Sequence, residues 1–122
     1  MEEIKNGSIR IADEVIADIA IKAAQDVKGV AGVYPRLLSH TKSLMSAKVP
    51  FVKGVLLAPS VAGLDLTIQI SLRFGVKVQE VCAEVQKEVA EAVSDMTGIA
   101  VRNVNVAVVD VVQAKPGKKN SK

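Results

Sequence analysis

The 122-residue chain is 49% apolar but only 2% aromatic. That suffices for one domain with an aliphatic core, and it leaves little surface for stacking bases or sugars. A single histidine and a single cysteine exclude an intrachain disulfide and a multi-cysteine metal centre. The net charge of +3 comes from the end of the chain, where Lys115, Lys118, Lys119 and Lys122 follow Asp110 without an acid, leaving 12 basic against 13 acidic residues before them.

In chain order, Gly7-Ser-Ile-Arg-Ile11 alternates and predicts a short strand. Residues 12–27 carry Ala12, Ile16, Ala20, Ala23, Ala24 and Val27 on one helical face. Residues 30–34 read as a strand stopped by Pro35, and residues 36–50 as a loop with one helical turn. Residues 52–58 form a further strand, and Pro59-Ser-Val-Ala-Gly63 a turn. The alternation is clearest over residues 64–74. Leu64, Leu66, Ile68, Ile70 and Leu72 point one way, and Asp65, Thr67, Gln69, Ser71 and Arg73 the other. A second amphipathic helix over residues 77–96 uses Val81, Val85, Val89, Ala92, Val93 and Met96. The last strand, residues 99–112, turns apolar on both faces at Val106-Ala-Val-Val109, which places it centrally in the sheet or under a partner. Residues 113–122 read as a flexible basic tail after a single domain over residues 1–112.

The helix, glycine, strand pattern occurs twice, and it aligns Gly29 on Gly98. Each glycine is expected to take the left-handed position that ends its helix. The predicted fold is therefore α+β: a two-layer sandwich with two amphipathic helices on one face of a mixed sheet, in the order β-α-β-β-β-α-β.

Little chemistry sits on this scaffold. No acid lies within thirteen residues of His40, whereas a catalytic histidine needs an orienting carboxylate. Cys82 borders an apolar stripe and has Glu80 and Glu84 nearby, which suits a small buried hydrophobe rather than a thiolate. Gly29-Val-Ala-Gly32 matches the Gly-x-x-Gly loop of KH-type RNA-binding domains, but it joins a helix to a strand rather than two helices. No catalytic residue, cofactor or metal ligand is expected.

Charge is the more informative signal. From Val27 to Leu64 there is no acid, while Lys28, Arg36, Lys42, Lys48 and Lys53 are basic; the second helix carries Glu80, Glu84, Glu88 and Glu91. These are the candidate interaction surfaces, and their opposite signs suit head-to-tail association.

Three segments carry a resemblance to a known family. They are Gly7-Ser-Ile-Arg-Ile-Ala-Asp-Glu-Val-Ile through Val27-Lys-Gly-Val-Ala-Gly32, then Lys53-Gly-Val55 with Leu64-Asp-Leu-Thr-Ile and Phe74-Gly-Val, and finally Val78-Gln-Glu-Val through Met96-Thr-Gly98 and Val104-Asn-Val-Ala-Val108. The chain resembles the alkaline shock protein family of envelope-stress proteins of Gram-positive bacteria. The resemblance implies a non-enzymatic protein of cell-envelope homeostasis that self-associates and docks on a membrane-anchored partner. Related members imply a second reading, a regulator that binds a metabolic enzyme such as acetyl-CoA carboxylase. An RNA-binding module is the third reading, and nucleic acid is not an expected partner. The longest apolar runs are too short to span a membrane, and Met1-Glu2-Glu3-Ile4-Lys5 is unlike a signal peptide. The expected location is therefore cytoplasmic, with recruitment to the inner face of the membrane. The basic 36–50 segment and the turn at residues 59–63 depart from the family pattern.

Overall fold

The computed structural model describes residues 11–35 and 51–113. Helix α1 (Asp13–Gln25) leads to β1 (Val30–Val33), β2 (Phe51–Val52), β3 (Val55–Ser60) and β4 (Gly63–Arg73), then helix α2 (Val78–Thr97) and β5 (Val101–Val112). Both helices pack on one face of a mixed sheet, as the apolar stripes predict. The strand expected at residues 7–11, the 36–50 segment, His40 and the tail from residue 114 lie outside the described residues, apart from Ile11, which is not in a strand.

Strand β4 is the axis of the sheet. Along one of its edges β3 pairs with residues 63–68 and β1 with residues 70–72, both antiparallel, so these two strands lie end to end. Strand β5 runs parallel along the other edge, from Leu64↔Val101 to Arg73↔Val112. Parallel neighbours need a crossover, and α2 supplies it. The alternation in β4 is realised in full: Leu64, Leu66, Ile68, Ile70 and Leu72 are buried under the helices.

The helices meet that row with Ile16, Ala17, Ala20 and Ala24 from α1 and Val85, Val89 and Val93 from α2, all buried. Small residues on α1 let it approach closely. Each of the large aliphatic side chains contributes about 1.5–3 kcal/mol by burial. Ala17 was not in the predicted stripe, whereas Ala12 is exposed. Met96, on the predicted stripe, is 71% exposed, because it lies in the last turn of α2, beyond the reach of the core.

The predicted strand over residues 52–58 is two strands, β2 and β3, joined through Lys53 and Gly54 at φ 54° and 96°. Two consecutive positive φ values make the tight hairpin turn that matches strand twist. At the other end β3 continues through Pro59 and Ser60, so the turn shrinks to Val61 and Ala62. The Ser60 hydroxyl stabilises it, accepting from the Ala62 N–H and donating to the Gly63 carbonyl.

Gly98 caps α2 in the left-handed conformation, with its N–H on the Ser94 carbonyl at 2.9 Å. Thr97 donates to the Val93 carbonyl and accepts from the Ile99 N–H. Helix end and strand entry are thereby tied at one hydroxyl, the local reason for the Met-Thr-Gly sequence. Gly29 plays a different part. Helix α1 ends at Gln25, capped by Asp26 in an ordinary helical conformation. Gly29 lies in the turn before β1, where a Cβ would come within 2.9 Å of the Val81 side chain.

Strand β5 is not central: among the described residues it pairs only with β4, and none of them covers its outer edge. Its apolar character on both faces therefore has to be explained at the sheet boundary.

Candidate functional site

Helix α2 has one stripe committed to the core, so its carboxylates are driven to the outer side of the helix layer. There Glu80, Glu84 and Glu88 line a groove of about 590 Å³ together with Val81 of α2 and Asp26, Val27 and Lys28 from the end of α1. A second groove, of about 360 Å³, continues it along the helix pair, lined by Asp18, Ile19, Lys22 and Ala23 of α1, by Asp26, and by Glu88, Ala92 and Met96 of α2. Glu88 belongs to both.

The acids are close enough to disturb one another. A hydrogen bond with Glu84 pushes the Glu88 carboxyl above its ordinary range; partial burial and the charges of Glu84 and Glu91 add to this, and Lys87 opposes it. Glu84 and Glu88 are one helical turn apart, where like charges destabilise a helix. The folded state therefore holds the Glu88 proton more tightly than the unfolded chain does. Stability from this site is present at low pH and is lost as pH rises through the raised value. Glu88→Gln is accordingly expected to raise the melting temperature at pH 7 by about 1–3 °C, with the gain vanishing near about pH 4. Thermal melts of the two proteins across that range check this.

The predicted basic residues are distributed differently. Lys28 lies in the acidic groove itself, beside Glu80 and Glu84. Lys53 reaches across to α1, with its Nζ 3.1 Å from Asp18 and 4.0 Å from Glu14. Lys53, from an acid-free stretch of sequence, thus finds its acids in space, on the first helix. Arg36, Lys42 and Lys48 lie outside the described residues.

On the opposite face of the sheet, Arg102 grips Asp65 with two hydrogen bonds, at 3.0 and 2.5 Å, and Asn103 adds a third at 3.4 Å. The guanidinium holds the Asp65 carboxyl below its usual range. The pair carries no local sequence signal, because the partners lie 37 residues apart and meet only through the parallel β4–β5 register. Gln69, buried on this face where β1 and β3 abut, donates to the Tyr34 carbonyl at 3.3 Å.

The other candidates have structural surroundings. Cys82 is half-buried, and burial pushes its thiol upward, away from thiolate reactivity. Gly29 is packed beneath Val81 and Gly32 lies within β1, so they do not form an open loop between two helices. Among the described residues no cluster of three or more histidine, cysteine or carboxylate side chains could hold a metal ion. Nor, among them, is any helix long and apolar enough to cross a membrane.

YqhY of Bacillus subtilis (strain 168) is 29% identical over 110 residues, covering 90% of this chain and 81% of that protein. YloU of the same organism is 31% identical over 113 residues, covering 92% and 94%. Among solved structures, a variant of the MamM CTD matches with a TM-score of 0.50 at 16% identity, covering 81% of this chain and 98% of that one, a likeness of fold alone. A family model for the alkaline shock protein 23 family, described as having cell envelope-related function, matches residues 1–113. With its aliphatic two-helix sandwich and its Met-Thr-Gly helix end, the chain belongs to the alkaline shock protein 23 family, a family of cell envelope-related function.

Proposed function

We propose that this protein is a non-enzymatic, self-associating scaffold of cell-envelope homeostasis that docks on a membrane-anchored partner at the inner face of the membrane. The observation that supports it is the crowded carboxylate ridge of α2. Glu80, Glu84, Glu88 and Glu91 stand on the solvent side of the helix, and Lys28, Lys77 and Lys87 offset their mutual repulsion only in part, since the Glu88 carboxyl stays above its ordinary range. A ridge of one sign steers and orients a partner of the other sign. Single surface pairs contribute about 0–1 kcal/mol, so several must act together, with the apolar floor of the adjoining groove, Ile19 and Ala92, adding to the affinity.

The test compares native complexes recovered on the wild-type protein and on the Glu84→Lys, Glu88→Lys double variant. The expected outcome is a membrane-anchored protein with a basic segment facing the cytoplasm, retained at low salt, lost at high salt and lost on the variant. Recovery of a soluble metabolic enzyme with no membrane protein would replace this reading with that of an enzyme regulator.

A further inference from the structure

We propose that the edge of β5 left open among the described residues is the contact through which the protein associates with itself, by antiparallel pairing with β5 of a second copy about a two-fold axis at Val106. This rests on the self-association reading above and names its surface. A free strand edge is a template for another chain, and proteins guard against this with lysine, proline or distortion. Strand β5 contains no lysine and no proline over its twelve residues. Its two irregularities, between Leu64 and Asp65 and between Ile70 and Ser71 of the register with β4, leave the segment from Asn103 to Val108 regular between them.

The edge exposes usable main-chain groups. Gln86 of α2 donates to the Val104 carbonyl at 3.0 Å, which places that carbonyl on the side away from β4. By alternation the N–H and C=O groups of Val106 and Val108 point the same way. A carbonyl keeps a second lone pair, so Val104 can still accept. Pairing Val106 with its own counterpart then sets Val104 opposite Val108 of the second copy, and about six main-chain hydrogen bonds form across the axis.

What selects a second copy is charge. In this register Arg102 stands opposite Asp110 of the partner, and the reverse contact repeats it. Both residues lie on the polar face: Arg102 bonds Asp65, and Asp110 is in register with Ser71. Their spacing about Val106 is equal on the two sides, so one two-fold axis satisfies both pairs. Such a contact is isologous and closes on itself. The same pairing would shelter Val111, which is 48% exposed. The α2 positions one turn either side of Gln86, Cys82 and Ala90, are uncharged and small, while the glutamates line the groove toward α1. The two helix layers can therefore approach without juxtaposing carboxylates.

The register fixes a test. On the polar face Asn105 lies opposite Ala107 of the second copy, a pair close enough for a disulfide, whereas each residue is only diagonal to its own counterpart. In a Cys82→Ser background, Asn105→Cys and Ala107→Cys proteins are mixed and oxidised, after melts show each to be folded. Sedimentation of the reduced proteins is measured at the same concentrations. The expected result is a disulfide-linked dimer in the mixture, roughly tenfold above either variant alone. A dimer in sedimentation without the mixed cross-link would overturn the β5 contact and leave self-association standing. A monomer at every concentration would overturn both.

Discussion

Val89→Asp is expected to cost about 3–5 kcal/mol, most or all of the stability of a domain this size. Val89 is fully buried mid-way along α2, flanked one turn away by Val85 and Val93, which are also fully buried. All three face the aliphatic row of β4, which has no donor or base to receive a carboxylate. The new side chain must be buried unpaired, take up a proton, or pull the helix off the sheet. Moving the helix would also loosen β5, because α2 is the crossover that holds it parallel to β4. Denaturant titrations of Val89→Asp and Glu88→Ala, adjacent residues of which the first is buried in the core and the second lines the outer groove, check this. The midpoint of the first should collapse. That of the second should stay near wild type or rise slightly, since it removes a crowded charge. Similar midpoints would mean that the helix phase is wrong.

Gly54→Ala is expected to be the most damaging glycine-to-alanine change among the described residues, at about 2–4 kcal/mol. Two penalties coincide at this position. The backbone sits at φ 96°, where a side chain is strained, and a Cβ would lie 2.3 Å from the Tyr34 carbonyl oxygen. That oxygen belongs to main chain and cannot swing aside. The Gly54 carbonyl also accepts from the Gln69 N–H, so a shift would propagate into β4 at the point where β1 and β3 abut. Gly75 provides the control, with φ 95° and open space where its Cβ would be. Gly75→Ala should therefore show only the conformational cost, about 1 kcal/mol. The difference in unfolding free energy between the two variants isolates the close approach. Equal losses would show that φ alone decides.

The positions of both predictions were legible to different degrees. Periodicity in a sequence is a local property, and it reports which way a side chain points once an element forms. The alternation from Leu64 to Arg73 therefore determined the buried row of β4, and the stripe through Val85, Val89 and Val93 determined the inner face of α2. With the positive-φ glycine after Thr97, these were enough for an α+β sandwich with both helices on one face. Composition likewise confined the acids of α2 to its outer side.

Tertiary structure decided what depends on segments far apart in the chain. A strand that is apolar on both faces reads the same at the centre of a sheet as at an edge, because pairing is a relation between strands. Only the register put β4 on the axis and left β5, among the described strands, at the edge. Lys53 belonged to an acid-free stretch by sequence, yet the hairpin at Lys53-Gly54 carries it to Asp18 and Glu14. Arg102 and Asp65 met for the same kind of reason, through a parallel register that a helix crossover imposes. Charge patterning along the chain counts residues. The folded surface counts distances, and so the crowding of Glu84 and Glu88, one turn apart on a helix, was visible in the sequence while the distribution of the bases was not.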